Sequence, residues 1–335
     1  MLKLLKRLSL PVCVSGDEPS GQAALEELLA PLGQVSALAN GTVLCRLPAK
    51  RAGLPVVMLT AHLDRIGMMV TRIAKNGFIR ASAVGGVDRR SLAGARVTIH
   101  TKSGDLPGVV CATPPHLSSG NEGLPDAADT AIDAGLPYEK AKSLVGYGDR
   151  VTFDGEFTPL LGDRVCAPAL DDRAGCAVVI RAAESLRDND RAEIVLALAA
   201  QEEVGSAGAA TAAFSVSPDY CFAVDVTFAS TPDSDPSLVM ELGKGPAVGY
   251  APILDRRLSA LLADCAARHG IPYQAEVMAG RTGTDADVIA VSGKGVRTAL
   301  LSVPERYMHT AGEVVSLTDL ENTARLLAET IGGAL

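Results

Sequence analysis

At 335 residues the chain is long enough for about two domains, each able to bury its own core. Apolar residues make up 47% and aromatics 4%, with no Trp, so the core must be built from Ala, Val, Leu and Ile. The net charge of −8, from 31 basic against 39 acidic residues with no basic cluster beyond the first turn, excludes a nucleic-acid binder, which needs a cationic face.

The N-terminus, Met1 to Leu8, interleaves its charges with leucines, and Pro11 cuts short any apolar signal region, so an amphipathic first helix is expected. Leu25, Leu28, Leu29 and Leu32 recur at helical spacing and predict a second helix over 21–32. A strand pair follows around Val43-Leu44 and Val56 to Leu59, ending at Ala61-His62-Leu63-Asp64. From Met68 to about Leu160 the texture changes to short strands with glycine turns, Asn76-Gly77 being a hairpin signal, and one short helix from Tyr138 to Val145. This predicts a small β-barrel or sandwich over 68–160, inserted into a discontinuous α/β domain of 1–67 and 161–335. The α/β alternation then resumes. It gives a helix after Asp171-Asp172, a strand from Glu193 to Ala200, a strand from Tyr220 to Asp225 and a helix from Arg256 to Arg268 capped by Gly270. A strand over 297–303 and a last helix over 317–331 complete it. The fold class expected is α/β, a mixed sheet flanked by helices, with the barrel-like insertion.

The seven cysteines (13, 45, 111, 166, 176, 221 and 265) are odd in number and form no CxxC, which suits reduced thiols of a cytoplasmic protein. No run approaches the ~20 apolar residues of a membrane span, so a soluble protein without a membrane partner is expected.

Acidic and imidazole residues recur where strands end or helices begin: His62, Asp64, Asp171, Glu202, Glu203, Asp225 and His309. Singly, each has a plain explanation as a helix cap, an acidic turn or a core histidine. Strand ends of a parallel sheet converge on one rim, however, and five segments delivering such groups there call for cations. Asp171, Glu203 and Asp225 bring three negative charges while His62 and His309 bind neutral. Two divalent ions therefore leave one positive charge for a bound hydroxide. Nitrogen and oxygen ligands without Cys suit zinc, cobalt or manganese. His62 and Asp64 share a strand face, placing Asp64 to accept the second ring N–H of His62. One Glu of the Glu202-Glu203 pair can bind metal while the other takes a proton from water.

The chain resembles the M42 family of metallo-aminopeptidases. The resemblance rests on Val14 to Glu18, Ala61 to Gly67, Gly85-Gly86-Val87-Asp88, Pro114 to Leu117, Ala169 to Gly175, Gln201 to Gly205, Val224 to Thr227 and Arg306 to His309, in family order. It implies that Asp171 bridges two metals, with His62 and Asp225 completing one site and Glu203 and His309 the other. It implies Glu202 as general base and Asp64 as the residue orienting His62. It also implies a cis Asp171–Asp172 peptide, short peptides as substrates, and self-association through the inserted domain into dimers or tetrahedral dodecamers. Arg65 and Arg281 depart from the family pattern. Each is expected either to pair with local carboxylates or to favour an acidic first residue of the substrate.

Two other functions compete. A glycoside hydrolase needs two carboxylates ~5–9.5 Å apart across a bond, and carboxylates engaged as ligands cannot serve there. A metal-stabilised assembly protein without turnover has no use for Glu202 outside the ligand set.

Overall fold

Two sheets divide the chain between them. The computed structural model describes residues 1–117, 123–124, 126–333 and 335. The first part holds helices α1 (Leu2–Leu8) and α2 (Gln22–Leu29) and strands β1 (Gln34–Ala37), β2 (Val43–Arg46) and β3 (Val56–His62). Then come β4 (Gly67–Ile73), β5 (Ile79–Val84), β6 (Arg96–Thr101), β7 (Gly104–Val110), β8 (Ile132–Asp133), helix α3 (Tyr138–Leu144) and β9 (Arg150–Phe153). The remainder alternates: β10 (Thr158–Pro159), β11 (Arg164–Ala167), α4 (Leu170–Ser185), β12 (Glu193–Ala199), α5 (Ala207–Val216), β13 (Tyr220–Phe228) and β14 (Ala247–Tyr250). It ends with α6 (Arg256–His269), β15 (Gln274–Val277), α7 (Ala286–Ile289), β16 (Arg297–Arg306), β17 (Glu313–Ser316) and α8 (Leu317–Gly333).

The large sheet has eleven strands, in the order β1-β2-β12-β3-β13-β16-β17-β11-β10, with β14 and β15 attached beside β16. Its centre is parallel: β3 runs with β12 and β13, and β13 with β16. These strands are covered on both faces, which explains their nearly unbroken apolar runs. Val57, Leu59 and Ala61 of β3 face a core closed by α1, α2, α4, α6 and α8. Met58, between them, faces a smaller core under α5 and α7. The pair expected between β2 and β3 is not formed. β12 lies between them, antiparallel to one and parallel to the other. An apolar strand such as β12 needs a neighbour on each edge, and the central position supplies both.

The strands β4-β5-β8-β7-β6-β9 close into a barrel around Met68, Val70, Ile79, Val97, Ile99, Val151 and Phe153. Closure removes the free edges that six short strands would otherwise expose. β13 and β16 both run past their expected ends, to Phe228 and Arg306, pairing with each other as far as Phe228 and Glu305. Among the described residues, no helix is long and apolar enough to cross a membrane.

Candidate metal centre

Parallel strands end on one rim, and the rim collects the chemistry. His62 is the last residue of β3, and its neighbour in register is Ala199, the end of β12, from which Glu202 and Glu203 follow directly. Asp225 lies in β13, and His309 in the loop between β16 and β17. Asp171 stands at the start of α4, where the Asp171–Asp172 peptide is cis and both aspartates have non-helical backbone angles.

The seven residues singled out in the sequence all meet here. Asp171 lies between two imidazoles: its Oδ1 is 2.9 Å from Nε2 of His62, and its Oδ2 is 3.2 Å from Nε2 of His309. Asp225 Oδ1 is 3.8 Å from Nε2 of His62, and Glu203 Oε1 is 3.5 Å from Nε2 of His309. Asp64 approaches His62 from behind. Its carbonyl oxygen is 3.2 Å from Nδ1 and its carboxylate 3.6 Å. The carboxylate itself chiefly holds the Glu-Glu turn, accepting from the N–H of Glu202 at 3.0 Å and of Glu203 at 3.3 Å, and from the Ser15 hydroxyl.

The electrostatics ask for cations. Burial, aided by Asp171, pushes Glu203 up to about 8, and its Oε1 is buried without a hydrogen-bond partner. Burial also raises Asp225 well above the carboxylate range, with Asp172 adding to it, and raises Glu202. Asp171 is lowered: its burial is outweighed by hydrogen bonds from His309 and His62. The hydrogen bond to Asp171 lifts His309 to about 9. Bare protein can balance so many buried anions only by protonating carboxylates or imidazoles. Divalent cations would ionise the carboxylates and give the orphaned Glu203 oxygen a partner. The donor set, carboxylates and imidazoles without thiolates, fits such ions. Two groups with ligand atoms close enough to hold an ion occur among the described residues: His62 with Asp171 and Glu203, and His62 with Asp172 and Asp225.

A family model for the M42 glutamyl aminopeptidases matches residues 41–326. The chain belongs to that family. It is 37% identical over 81% of its length to a lysyl aminopeptidase of Pyrococcus furiosus, covering 80% of that protein. An aminopeptidase from the archaeon Desulfurococcus kamchatkensis superimposes with a TM-score of 0.93 at 34% identity, over 99% of this chain and 94% of that one. The TET1 peptidase of Pyrococcus horikoshii, which can assemble into a tetrahedron or a large octahedral shell, gives 0.87 at 31% identity, over 99% of each chain. M42 membership makes this chain a peptidase and implies divalent metal ions.

Two supports of this M42 site escape a reading of the sequence. Glu313, buried at the start of β17, accepts from the N–H of Asp171 with one oxygen and from the N–H of His309 with the other, both at 3.1 Å. It thereby fixes two segments that are 138 positions apart, so no local spacing announces it. The second support is the loop after β5. The Gly86 carbonyl is 2.8 Å from Nδ1 of His309, which fixes that nitrogen as the N–H and turns Nε2 toward the site. A Cβ on Gly86 would stand 2.7 Å from the same ring nitrogen, so only glycine lets the backbone come so close.

The site opens into a cleft of about 640 Å³ whose walls include Val226, Phe228, Met278 and Leu300. Neither Arg65 nor Arg281 lines it. Arg65 is buried beneath the N-terminal segment, with Glu313 the carboxylate acting on its guanidinium, and Arg281 is exposed outside the cleft. The reason is that Arg65 lies beyond the end of β3, where a bridge to Val14 and its N–H to the Cys13 carbonyl tie it to the N-terminal segment. Neither arginine belongs to the cleft wall, although Thr282, next to Arg281, does. Of the remaining histidines, His100 is bonded within the barrel to Asp105 at 2.8 Å and Thr152 at 2.9 Å.

Proposed function

We propose that this M42 peptidase is a dinuclear metal-dependent aminopeptidase that removes N-terminal residues from short peptides. One observation carries the reading: the two oxygens of Asp171 face two different imidazoles, the arrangement of a carboxylate shared between two ions. His62 and Asp225 would complete one site, and Glu203 and His309 the other. Zinc, cobalt or manganese would suit these donors. When bound, such ions polarise a carbonyl and lower the pKa of water.

The chain's own groups do the rest. Glu202 lines the cleft and its carboxylate takes no side-chain hydrogen bond among the described residues, which leaves it free to accept a proton from the attacking water and return it to the leaving amine. Asp64 orients His62 and, through the N–H groups of Glu202 and Glu203, holds base and ligand side by side. A glycoside hydrolase is disfavoured because such an enzyme works with two carboxylates and no metal pair, whereas this reading assigns Asp171, Glu203 and Asp225 to ions.

In this reading residues 1–67 and 161–335 form the catalytic domain, and 68–160 the unit through which copies associate. The assemblies formed by the TET1 relative support dimers building into a tetrahedral dodecamer. The seven unpaired cysteines of this chain suit the cytoplasm.

Matched peptides with free and acetylated N-termini, incubated with metal-loaded protein and read by mass spectrometry, test the activity. Free peptides should lose one residue at a time while acetylated ones resist, and a soluble β-glucan should stay intact. Internal cuts, equal cleavage of both peptides, or metal-independent glucan hydrolysis would sink the reading.

A further inference from the structure

The cleft holds a carboxylate that neither the ligand set nor the proton transfers use. Glu276, half-buried on β15, lines the cleft beside the metal-site residues. Its Oε2 accepts from the Ser302 hydroxyl at 2.6 Å, and its Oε1 from the Thr227 hydroxyl. Both donors are themselves buried, so the carboxylate is fixed in place. Their positions tie it to the centre. Ser302 is the register partner of Asp225 on the neighbouring strand, and Thr227 is two residues beyond Asp225 on the same strand face. Two residues of strand correspond to about 7 Å.

Each Glu276 oxygen thus takes one hydroxyl and keeps a lone pair for another donor. No Lys or Arg lines the cleft, and no ion pair joins Glu276 to a cation among the described residues. The cleft wall also holds apolar groups, Met278 two residues on from Glu276 and Leu300 two before Ser302, besides the hydroxyls of Thr282 and Thr284. Apolar wall groups in the same cleft as an oriented carboxylate without a cationic partner match a side chain with a long aliphatic stem and a cationic head. An acidic side chain would meet Glu276 with no cation to offset the repulsion.

We propose that Glu276 selects peptides whose first residue is Lys or Arg, its carboxylate receiving the ammonium or guanidinium of that residue. This rests on the aminopeptidase reading, and the experiment separates the two. The metal-loaded enzyme is assayed for kcat/KM on Lys, Arg, Leu and Glu aminoacyl reporters, alone and as Glu276→Gln and Glu276→Lys, with metal content measured on every sample. The unaltered enzyme should favour Lys and Arg over Glu. In Glu276→Gln the ratio of Lys to Leu kcat/KM should fall roughly 10–100-fold, the scale of one charge-assisted hydrogen bond, and mostly through KM. Glu276→Lys should raise the Glu reporter relative to Lys. A uniform loss on all four reporters at unchanged metal content overturns the proposal, since it would show a part common to every substrate. So does an unaltered enzyme that prefers Leu or Glu. Turnover of no reporter at all by fully loaded enzyme overturns the aminopeptidase reading and this proposal with it.

Discussion

Asp171 and Glu202 lie in one small cluster, yet their neighbours give them different work. Asp171 touches both imidazoles, whereas the Glu202 carboxylate forms no hydrogen bond or ion pair with them among the described residues and lines the cleft. Two isosteric changes should separate these parts. Asp171→Asn should lose metal affinity at both sites together, with elemental analysis of reconstituted protein falling well short of two ions per chain. Glu202→Gln should keep both ions and lose roughly 10²–10⁴ in kcat, the usual worth of a general base. Full occupancy in the first variant, or near-normal turnover in a metal-replete second, would reverse the assignment. The residues proposed as ligands were legible in the sequence because each stands near the expected end of an apolar strand or the start of a helix, on the rim where a parallel sheet gathers its chemistry. Glu276 was not legible. It lies on an attached strand, and only the pairing of β14 with β16 brings β15 to the site.

Between elements, the notable contact is the barrel's loop against the His309 loop. Gly86 supplies the carbonyl that sets the His309 ring, while His309 itself has a left-handed backbone, φ +64°. Such a conformation persists in a non-glycine residue only when its surroundings hold it. Here the holders are Glu313, through the main-chain N–H, and Gly86, through the ring. Gly86→Ala should push the imidazole off its position and weaken metal binding roughly 10–100-fold, as loss of a ligand's outer hydrogen bond does. Calorimetric titration of apoprotein with zinc would measure it, with far-UV circular dichroism confirming the fold. Unaltered affinity would mean that the ring has room to move and that the barrel does not position the ligand.

For the whole molecule, the site is also a load on stability. Asp171, Asp172, Glu202, Glu203 and Asp225 gather acidic groups at one sheet edge, and burial opposes their ionisation. Ions that bind only the folded chain relieve this by mass action, worth about 4 kcal/mol when free metal exceeds Kd a thousandfold. Chelation should therefore lower Tm by several degrees and reloading should restore it. With no Trp in the chain, circular dichroism is the direct readout. A melting curve indifferent to chelator and metal would show that the folded protein carries these charges without cations.

The alternation of strands and helices, the change of texture near Met68 and Leu160, and the residues gathered at the rim could all be read from the order of amino acids. Apolar periodicity and punctuation by glycine and proline are local properties, and the site residues belong to short motifs that can be read without knowing what lies opposite. Which strands are neighbours could not be read that way: the fold places β12 between β2 and β3, because pairing depends on partners far apart in the chain. The fold alone sets that Glu313 ties Asp171 to His309, that Gly86 crosses from the barrel to the second imidazole, and that Arg65 stays out of the cleft wall. The charge a substrate meets is set by which side chains face one space. Arg65, close to His62 in sequence, does not face it, and Glu276, more than two hundred residues further on, does.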